Sequence, residues 1–186
     1  RSAIANTGLT IVSSLKALLP RFHGNPVAGN AMLFREVLLH KGLMIWVVVD
    51  PKKPATYRQA EKMLKSPKCA GIKIHPEEHG YPVMKYGREI FRFAEEHGAI
   101  IETHSGEKNS MPGDFLKLAD AFPGVRLIIS HLGCGWDRCI THQVKAVCRS
   151  RHGNIYTDTS SAMSILPGLL EFAVSETGAD KILYGT

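Results

Sequence analysis

Short apolar runs recur along this chain at nearly constant intervals, and this regularity limits the folds that the chain can adopt. The runs are about 26 to 34 residues apart and begin at Leu9, Leu43, Ala70, Ala99, Val125, Asn154 and Lys181. Between them, apolar residues follow helical spacing, as they do at Trp136, Ile140, Val144 and Val147. Strands that alternate with helices in this way predict βαβ units and a parallel sheet.

The polar residues at the ends of the runs favour a barrel over an open sheet. No G-x-G-x-x-G turn follows a predicted strand, as it would in an open dinucleotide-binding sheet. Instead, His75, His104, His131 and Asp158 lie at the carboxyl ends of successive runs. Catalytic groups drawn from several strand ends are typical of the (β/α)8 barrel of the TIM type.

A complete barrel of this type has eight strands and about 250 residues. This chain has 186 residues and seven runs. We therefore expect an α/β fold of the TIM-barrel type, incomplete here, with seven parallel strands in sequential order and helices on the outside. Residues 1–186 are expected to form a single domain that is a fragment of a longer catalytic domain.

Composition and charge exclude several classes of protein. The net charge is +6, but no run of basic residues is longer than Lys52-Lys53, so we expect no nucleic-acid partner. No apolar stretch approaches the ~18 residues of a membrane span, and the amino end has no signal-peptide pattern. The four cysteines lack the spacing of a zinc knuckle, so reduced thiols and a cytoplasmic location are expected. Assembly into a homo-oligomer stays open.

Strand parity predicts that a lysine and a glutamate share the inner face of the sheet. Lys73 lies two residues before His75, and Glu102 lies two residues before His104. If the histidines face the barrel lumen, Lys73 and Glu102 face it one level deeper. Three interpretations are open: a buried ion pair, a lysine carboxylated by carbon dioxide that bridges two metal ions, and a lysine that forms a Schiff base.

Five segments carry a resemblance to a known family: GIKIHPEEHGYP (71–82), IIETHSGE (100–107), FPGVRLIISHLG (122–133), NIYTDTSS (154–161) and GADKILYGT (178–186). They resemble the metal-dependent amidohydrolase superfamily, and within it the branch of small amidohydrolases and related decarboxylases. The resemblance implies one or two divalent metal ions, zinc above all. In that family a His-x-His on the first strand, a His ending the fifth strand and an Asp ending the eighth bind the metal.

The resemblance also assigns roles to residues of this chain. It makes His104 the fifth-strand metal ligand and His131 the sixth-strand histidine, which moves protons in one-metal members and ligates the second ion in two-metal members. No His-x-His occurs in the sequence, and the eighth-strand Asp would follow Thr186. We therefore expect His104 to act together with ligands outside this chain.

The remaining candidates surround these two histidines. Asp158 is a catalytic candidate or an aspartate that accepts backbone N–H bonds at the start of a loop. His75 and Lys73 are candidates for substrate binding, with Lys73 as a cation for a substrate carboxylate. Of the interpretations above we favour the ion pair with Glu102, and hence one metal and proton transfer by His131. Glu107 is expected to be solvated or near the start of a helix rather than catalytic.

These residues predict a metal-dependent hydrolase that activates water to cleave a C–N or C–O bond of a small molecule. A nonhydrolytic decarboxylase on the same scaffold needs the same groups and stays an alternative. A noncatalytic partial barrel that lacks metal ligands is a second alternative, and a Schiff-base aldolase that uses Lys73 is a minor third.

Overall fold

The computed structural model describes residues 8–19 and 24–185. Seven strands form one parallel sheet, in which each strand pairs with the next strand along the chain. The strands are β1 (Thr10–Val12), β2 (Leu43–Val48), β3 (Cys69–Ile74), β4 (Ile100–Thr103), β5 (Leu127–Ile129), β6 (Ile155–Asp158) and β7 (Ile182–Leu183). The predicted order and direction are confirmed: the sheet curls as an incomplete (β/α) barrel, with β1 and β7 at its edges.

Helices connect the strands. They are α1 (Leu15–Leu18), α2 (Pro26–Leu39), α3 (Pro54–Met63), α4 (Val83–Glu96), α5 (Leu116–Ala121), α6 (His142–Cys148) and α7 (Leu169–Thr177). Short 3-10 turns at Pro112–Phe115, Ala162–Ile165 and Ala179–Lys181 complete the connections. None of the described helices combines the length and the apolar character that crossing a membrane requires.

Helix α6 is shorter than the apolar stripe that begins at Trp136 predicts. Trp136 lies in the loop before the helix and is 62% exposed. Its backbone N–H donates to the carbonyl of Gly106, 2.7 Å away in the loop after β4, instead of to a carbonyl of its own segment. This contact between the two loops holds the stretch out of helical conformation, so that the helix begins only at His142.

Alternate residues of the strands build the core against the helices. The buried cluster joins helix residues such as Val37, Phe91 and Ala94 to strand residues of one parity, and its strand members are Ile45, Val47, Ile72, Ile74, Ile101, Leu127, Ile129 and Ile155. Lys73 and Glu102 have the other parity and share a register position on the opposite face. The predicted shared face of Lys73 and Glu102 is therefore confirmed, whereas Leu127 and Ile129, which have the parity of His131, face the helices.

Two buried asparagines tie the helical layer to the sheet. The side chain of Asn30 on α2 donates to the Val48 carbonyl and accepts from the Val48 N–H, both at 2.9 Å. The Nδ2 of Asn154, just before β6, donates at 2.9 to 3.3 Å to three carbonyls, those of Ala119, Phe122 and Val125. These bonds pair buried backbone groups at the end of β2 and between α5 and β5, where the sheet and helix ladders do not supply all the partners.

Candidate metal centre at the carboxyl ends of the strands

Three predicted histidines meet at the carboxyl edge of the sheet. His75 follows β3, His104 follows β4, and His131 lies two residues beyond β5. The rings of His75 and His104 stack with their centroids 4.1 Å apart. The ring of His131 approaches His104 edge-on, with the centroids 4.6 Å apart. Because neighbouring parallel strands end side by side, side chains far apart in sequence converge here.

Two of these histidines form a donor group with Glu107. The ligating atoms of His75, His104 and Glu107 all lie within 4.8 Å of one another, and this is the one group of its kind in residues 8–19 and 24–185. Nε2 of His104 lies 3.0 Å from Oε2 of Glu107. The two atoms do not meet hydrogen-bond geometry, so this buried nitrogen has no hydrogen-bond partner within the described parts of the chain.

The donor set fits a divalent metal ion. Two imidazoles and a carboxylate are ligands that zinc takes. Nε2 of His104 has no hydrogen-bond partner among the described residues and is available as a ligand atom. Burial, together with the charges of the neighbouring histidines and of Lys73, lowers the pKa of His75 to about 2 and that of His104 to about 3. Both rings are therefore neutral at neutral pH, which is the state that binds metal.

Glu107 reaches the group although its side chain is 44% exposed. It follows Gly106, whose φ of 94° lies in the left-handed region that favours glycine. A Cβ at Gly106 would lie 2.3 Å from the carbonyl oxygen of Cys134, so only glycine lets the two loops approach this closely. The expectation of a merely solvated Glu107 misses this contact with His104.

Lys73 and Glu102 form the predicted ion pair one level below. Nζ of Lys73 lies 2.9 Å from Oε1 of Glu102, and the two side chains are 8% and 15% exposed. Ser130 Oγ donates to the same carboxylate oxygen at 3.1 Å and accepts from Lys73 Nζ at 3.5 Å. A substrate carboxylate at Lys73 would therefore compete with Glu102.

Asp158 lies at the end of β6 and holds the segment that carries His131. One oxygen, Oδ1, accepts the backbone N–H groups of His131 and Ser160, each at 3.0 Å, and also the hydroxyl of Ser160. Burial opposes ionisation, but these hydrogen bonds outweigh it and hold the pKa of Asp158 below its usual value. The hydroxyl oxygen of Ser160 in turn lies 2.8 Å from Nδ1 of His131.

His131 itself has a strained backbone. Its φ is 77°, in the left-handed region that non-glycine residues rarely adopt. Such a residue costs about 1–3 kcal/mol and persists where its surroundings impose it, often at functional sites. Burial lowers the pKa of the His131 side chain, and the charge of Lys73 adds to this effect.

A cavity of about 350 Å³ opens beside the loop that follows His75. It is lined by Ala17, Leu18, Gly24, Pro26, Asp50, Lys52, Lys53, Glu78 and His79. The backbone N–H of Glu78 donates to Nδ1 of His75 at 3.4 Å, which links the cavity wall to the donor group. Its volume is within the range of small-molecule sites.

Ser130 and Ser160 are not singled out by the sequence reasoning, which also gives Glu107 no role in the site. Ser130 and Ser160 lie next to predicted residues in the chain, at one and two positions from His131 and Asp158. Adjacency to a strand-end candidate is the signal that could have found them. Nothing in the spacing predicts that Glu107 turns back onto His104.

Solved structures share this architecture. An uncharacterised TIM-barrel protein from Bordetella bronchiseptica matches with a TM-score of 0.71 and 16% identity over 100% of this chain and 66% of its own. An amidohydrolase 2 from Bifidobacterium longum subsp. infantis matches with a TM-score of 0.60 and 18% identity, over 85% of this chain and 60% of its own. A dihydroorotase from Campylobacter jejuni matches with a TM-score of 0.54 and 12% identity, over 94% of this chain and 57% of its own.

At these identities the likeness supports the fold. The chain spans less than two thirds of the length of each of these three structures. No curated protein matches it significantly. The sequence model of the amidohydrolase family, however, matches residues 28–186, which include every residue of the candidate centre. The chain therefore belongs to the amidohydrolase family.

Proposed function

We propose that the protein containing this chain is a metal-dependent hydrolase of the amidohydrolase type, which cleaves a C–N or C–O bond of a small molecule. The observation that carries the proposal is the convergence of the His75, His104 and Glu107 donor atoms within 4.8 Å at the carboxyl edge of the sheet. In barrels of this kind the catalytic groups lie at that edge. Membership of the amidohydrolase family supports the same reaction class.

His104 would hold the metal ion, together with His75 and Glu107 and with any ligands that the rest of the protein supplies. Zinc suits two imidazoles and a carboxylate best. A divalent ion in such a site lowers the pKa of water and thereby supplies a nucleophile at neutral pH. His131 lies outside the donor group, so of its two implied roles we assign it proton transfer to and from the reacting groups.

The substrate would be a small molecule that enters through the cavity beside His79. Lys52 and Lys53 line this cavity, and a substrate carboxylate would find a cation there rather than at Lys73, which Glu102 already engages. Lys53 lies 3.6 Å from the carboxylate of Asp50 and is half-exposed, so it can turn towards a ligand. Four free cysteines fit a cytoplasmic location.

We also propose that residues 1–186 form one domain within a longer catalytic domain. An eight-stranded barrel would place a further strand between β7 and β1, the two edges of the sheet. Exposed sheet edges are usually paired or covered in proteins.

Metal binding tests the proposal directly. The purified protein is dialysed with zinc chloride, then against zinc-free buffer, and its zinc content is measured by mass spectrometry. We expect about one zinc ion per chain, loss of zinc in His104→Ala, and at least tenfold weaker binding in His75→Ala. His152→Ala, at an exposed loop position, is the matched control and should bind normally. A protein that binds no metal, or a His104→Ala variant that binds like the unmodified protein, contradicts the proposal.

The reaction is tested on a panel of lactones, amides and unsaturated carboxylic acids, with and without a chelator. Chelator-sensitive release of acid from a lactone or amide supports hydrolysis. Release of carbon dioxide without water uptake would assign the chain to the decarboxylase alternative instead.

A further inference from the structure

Ser160 stands between two groups of the site and contacts both through one hydroxyl. Its Oγ lies 2.8 Å from Nδ1 of His131 and donates to Oδ1 of Asp158. Neither Ser160 nor this arrangement is needed to hold the His75, His104 and Glu107 donor group. The direction of the first of these hydrogen bonds, from His131 to Ser160 or from Ser160 to His131, decides which ring nitrogen of His131 carries the hydrogen.

The single hydroxyl proton of Ser160 fixes the direction of both hydrogen bonds. Oδ1 of Asp158 already accepts two backbone N–H groups, from His131 and from Ser160, so this oxygen acts as an acceptor. A serine hydroxyl has one proton to give. If that proton points at Asp158, the Ser160 oxygen can only accept from His131, and Nδ1 of His131 must carry a hydrogen. The reverse order would place two lone pairs against each other between Ser160 and Asp158.

We propose that Ser160 is a positioning residue that fixes the tautomer of His131, with the hydrogen on Nδ1 and a free lone pair on Nε2. Asp158 then fixes the same residue twice, through the backbone N–H at 3.0 Å and through Ser160. These two contacts agree with the φ of 77° at His131, because a strained backbone conformation persists only where its surroundings hold it in place.

For the reaction, the inference rests on the proposed function. A histidine that accepts a proton at Nε2 must be free of hydrogen there, and a partner on the other ring nitrogen is what decides this. Without the Ser160 hydroxyl, Nδ1 of His131 loses this partner, and the neutral ring can place its hydrogen on Nε2 more readily. A fraction of the molecules then offers an N–H to the reacting groups where a lone pair is required.

The tautomer is read directly from two-bond ¹H–¹⁵N correlation spectra of protein labelled with ¹⁵N-histidine, recorded without metal or substrate. The signals of His131 are identified by their loss in His131→Gln. We expect the Nδ1–H form in the unmodified protein and in Ser164→Ala, the control, whose hydroxyl donates to the carbonyls of Thr159 and Ser161. Ser160→Ala should shift His131 towards the Nε2–H form.

The kinetic consequence is a lower kcat at nearly unchanged KM. Ser160→Ala should lose roughly 10- to 100-fold in kcat, less than the ~100- to 10,000-fold that a lost proton-transfer group costs. An Nε2–H form in the unmodified protein, which needs no variant to fold, overturns the inference. An unchanged Nδ1–H form in Ser160→Ala also overturns it, even if kcat falls. The spectra need no turnover. Failure to find hydrolysis would therefore refute the proposed function, while the spectra alone would still decide the tautomer of His131.

Discussion

Removing the ammonium of Lys73 tests how the inner face of the sheet is stabilised. Lys73→Met keeps most of the side-chain volume but leaves the carboxylate of Glu102 without its cation. The pair lies at 2.9 Å, and its side chains are 8% and 15% exposed, so water can replace the lost partner only poorly. Ser130 Oγ remains as a donor to Glu102 at 3.1 Å, and Oε2 of Glu102 has no partner within the described ranges even before the change.

The expected loss in free energy of unfolding is about 3–5 kcal/mol, the cost of breaking a buried pair by removing one partner. In a chain of this length, 1 kcal/mol corresponds to about 2–4 °C in Tm, so the loss corresponds to about 6–20 °C. The double variant Lys73→Met/Glu102→Leu removes both charges. It should regain most of that loss, because replacing a whole buried pair by apolar residues is often neutral or stabilising.

The assay is urea unfolding at neutral pH, followed by circular dichroism and by tryptophan fluorescence so that coincident curves establish a two-state transition. Lys62→Met, at an exposed position on α3, is the matched control and should change stability by less than about 0.5 kcal/mol. The reasoning is refuted if Lys73→Met costs less than about 1 kcal/mol. It is also refuted if the double variant is as unstable as the sum of the two single variants.

Three further predictions follow from the site and its supports. His131→Gln should retain the zinc content of the unmodified protein and lose roughly 100- to 10,000-fold in kcat, as judged by metal analysis and steady-state kinetics; loss of zinc would place His131 among the ligands and favour two metals. Asn154→Ala removes the side-chain donor of three buried carbonyls, of which only that of Phe122 keeps a backbone partner among the described residues, the N–H of Val125; urea unfolding should show a loss of about 2–3 kcal/mol, whereas a loss below about 0.5 kcal/mol would mean that water replaces the amide. Gly106→Ala should push the loop of Cys134 away and displace Glu107, lowering zinc affinity at least tenfold in a titration; unchanged affinity would show that Glu107 is not needed.

The periodic part of the fold follows from the sequence because each strand and helix repeats a pattern that burial imposes. The intervals between apolar runs predict the sheet order, and parity alone places Lys73 and Glu102 on the same face of the sheet. The start of α6 does not follow, because the contact of Trp136 with Gly106 joins two loops that no local pattern relates.

The convergence of the site is predictable only as far as the strands reach. His75 and His104 stack because their strands are neighbours, which the order of the runs already implies. Glu107 and Ser160 lie in loops, where the direction of a side chain depends on individual φ angles such as the 94° of Gly106. A histidine at 131 gives no sign in the sequence that its backbone is left-handed.

If His131 transfers protons as proposed, its left-handed backbone makes thermostability and turnover compete at this one position. Glycine adopts this conformation without the steric cost, so His131→Gly relieves strain while it removes the imidazole. Where the relieved strain outweighs the lost contacts of the ring, a screen for heat resistance alone would select a variant without the proposed proton-transfer group. Directed evolution of this protein would therefore need a selection for the proposed activity in every round beside the selection for stability.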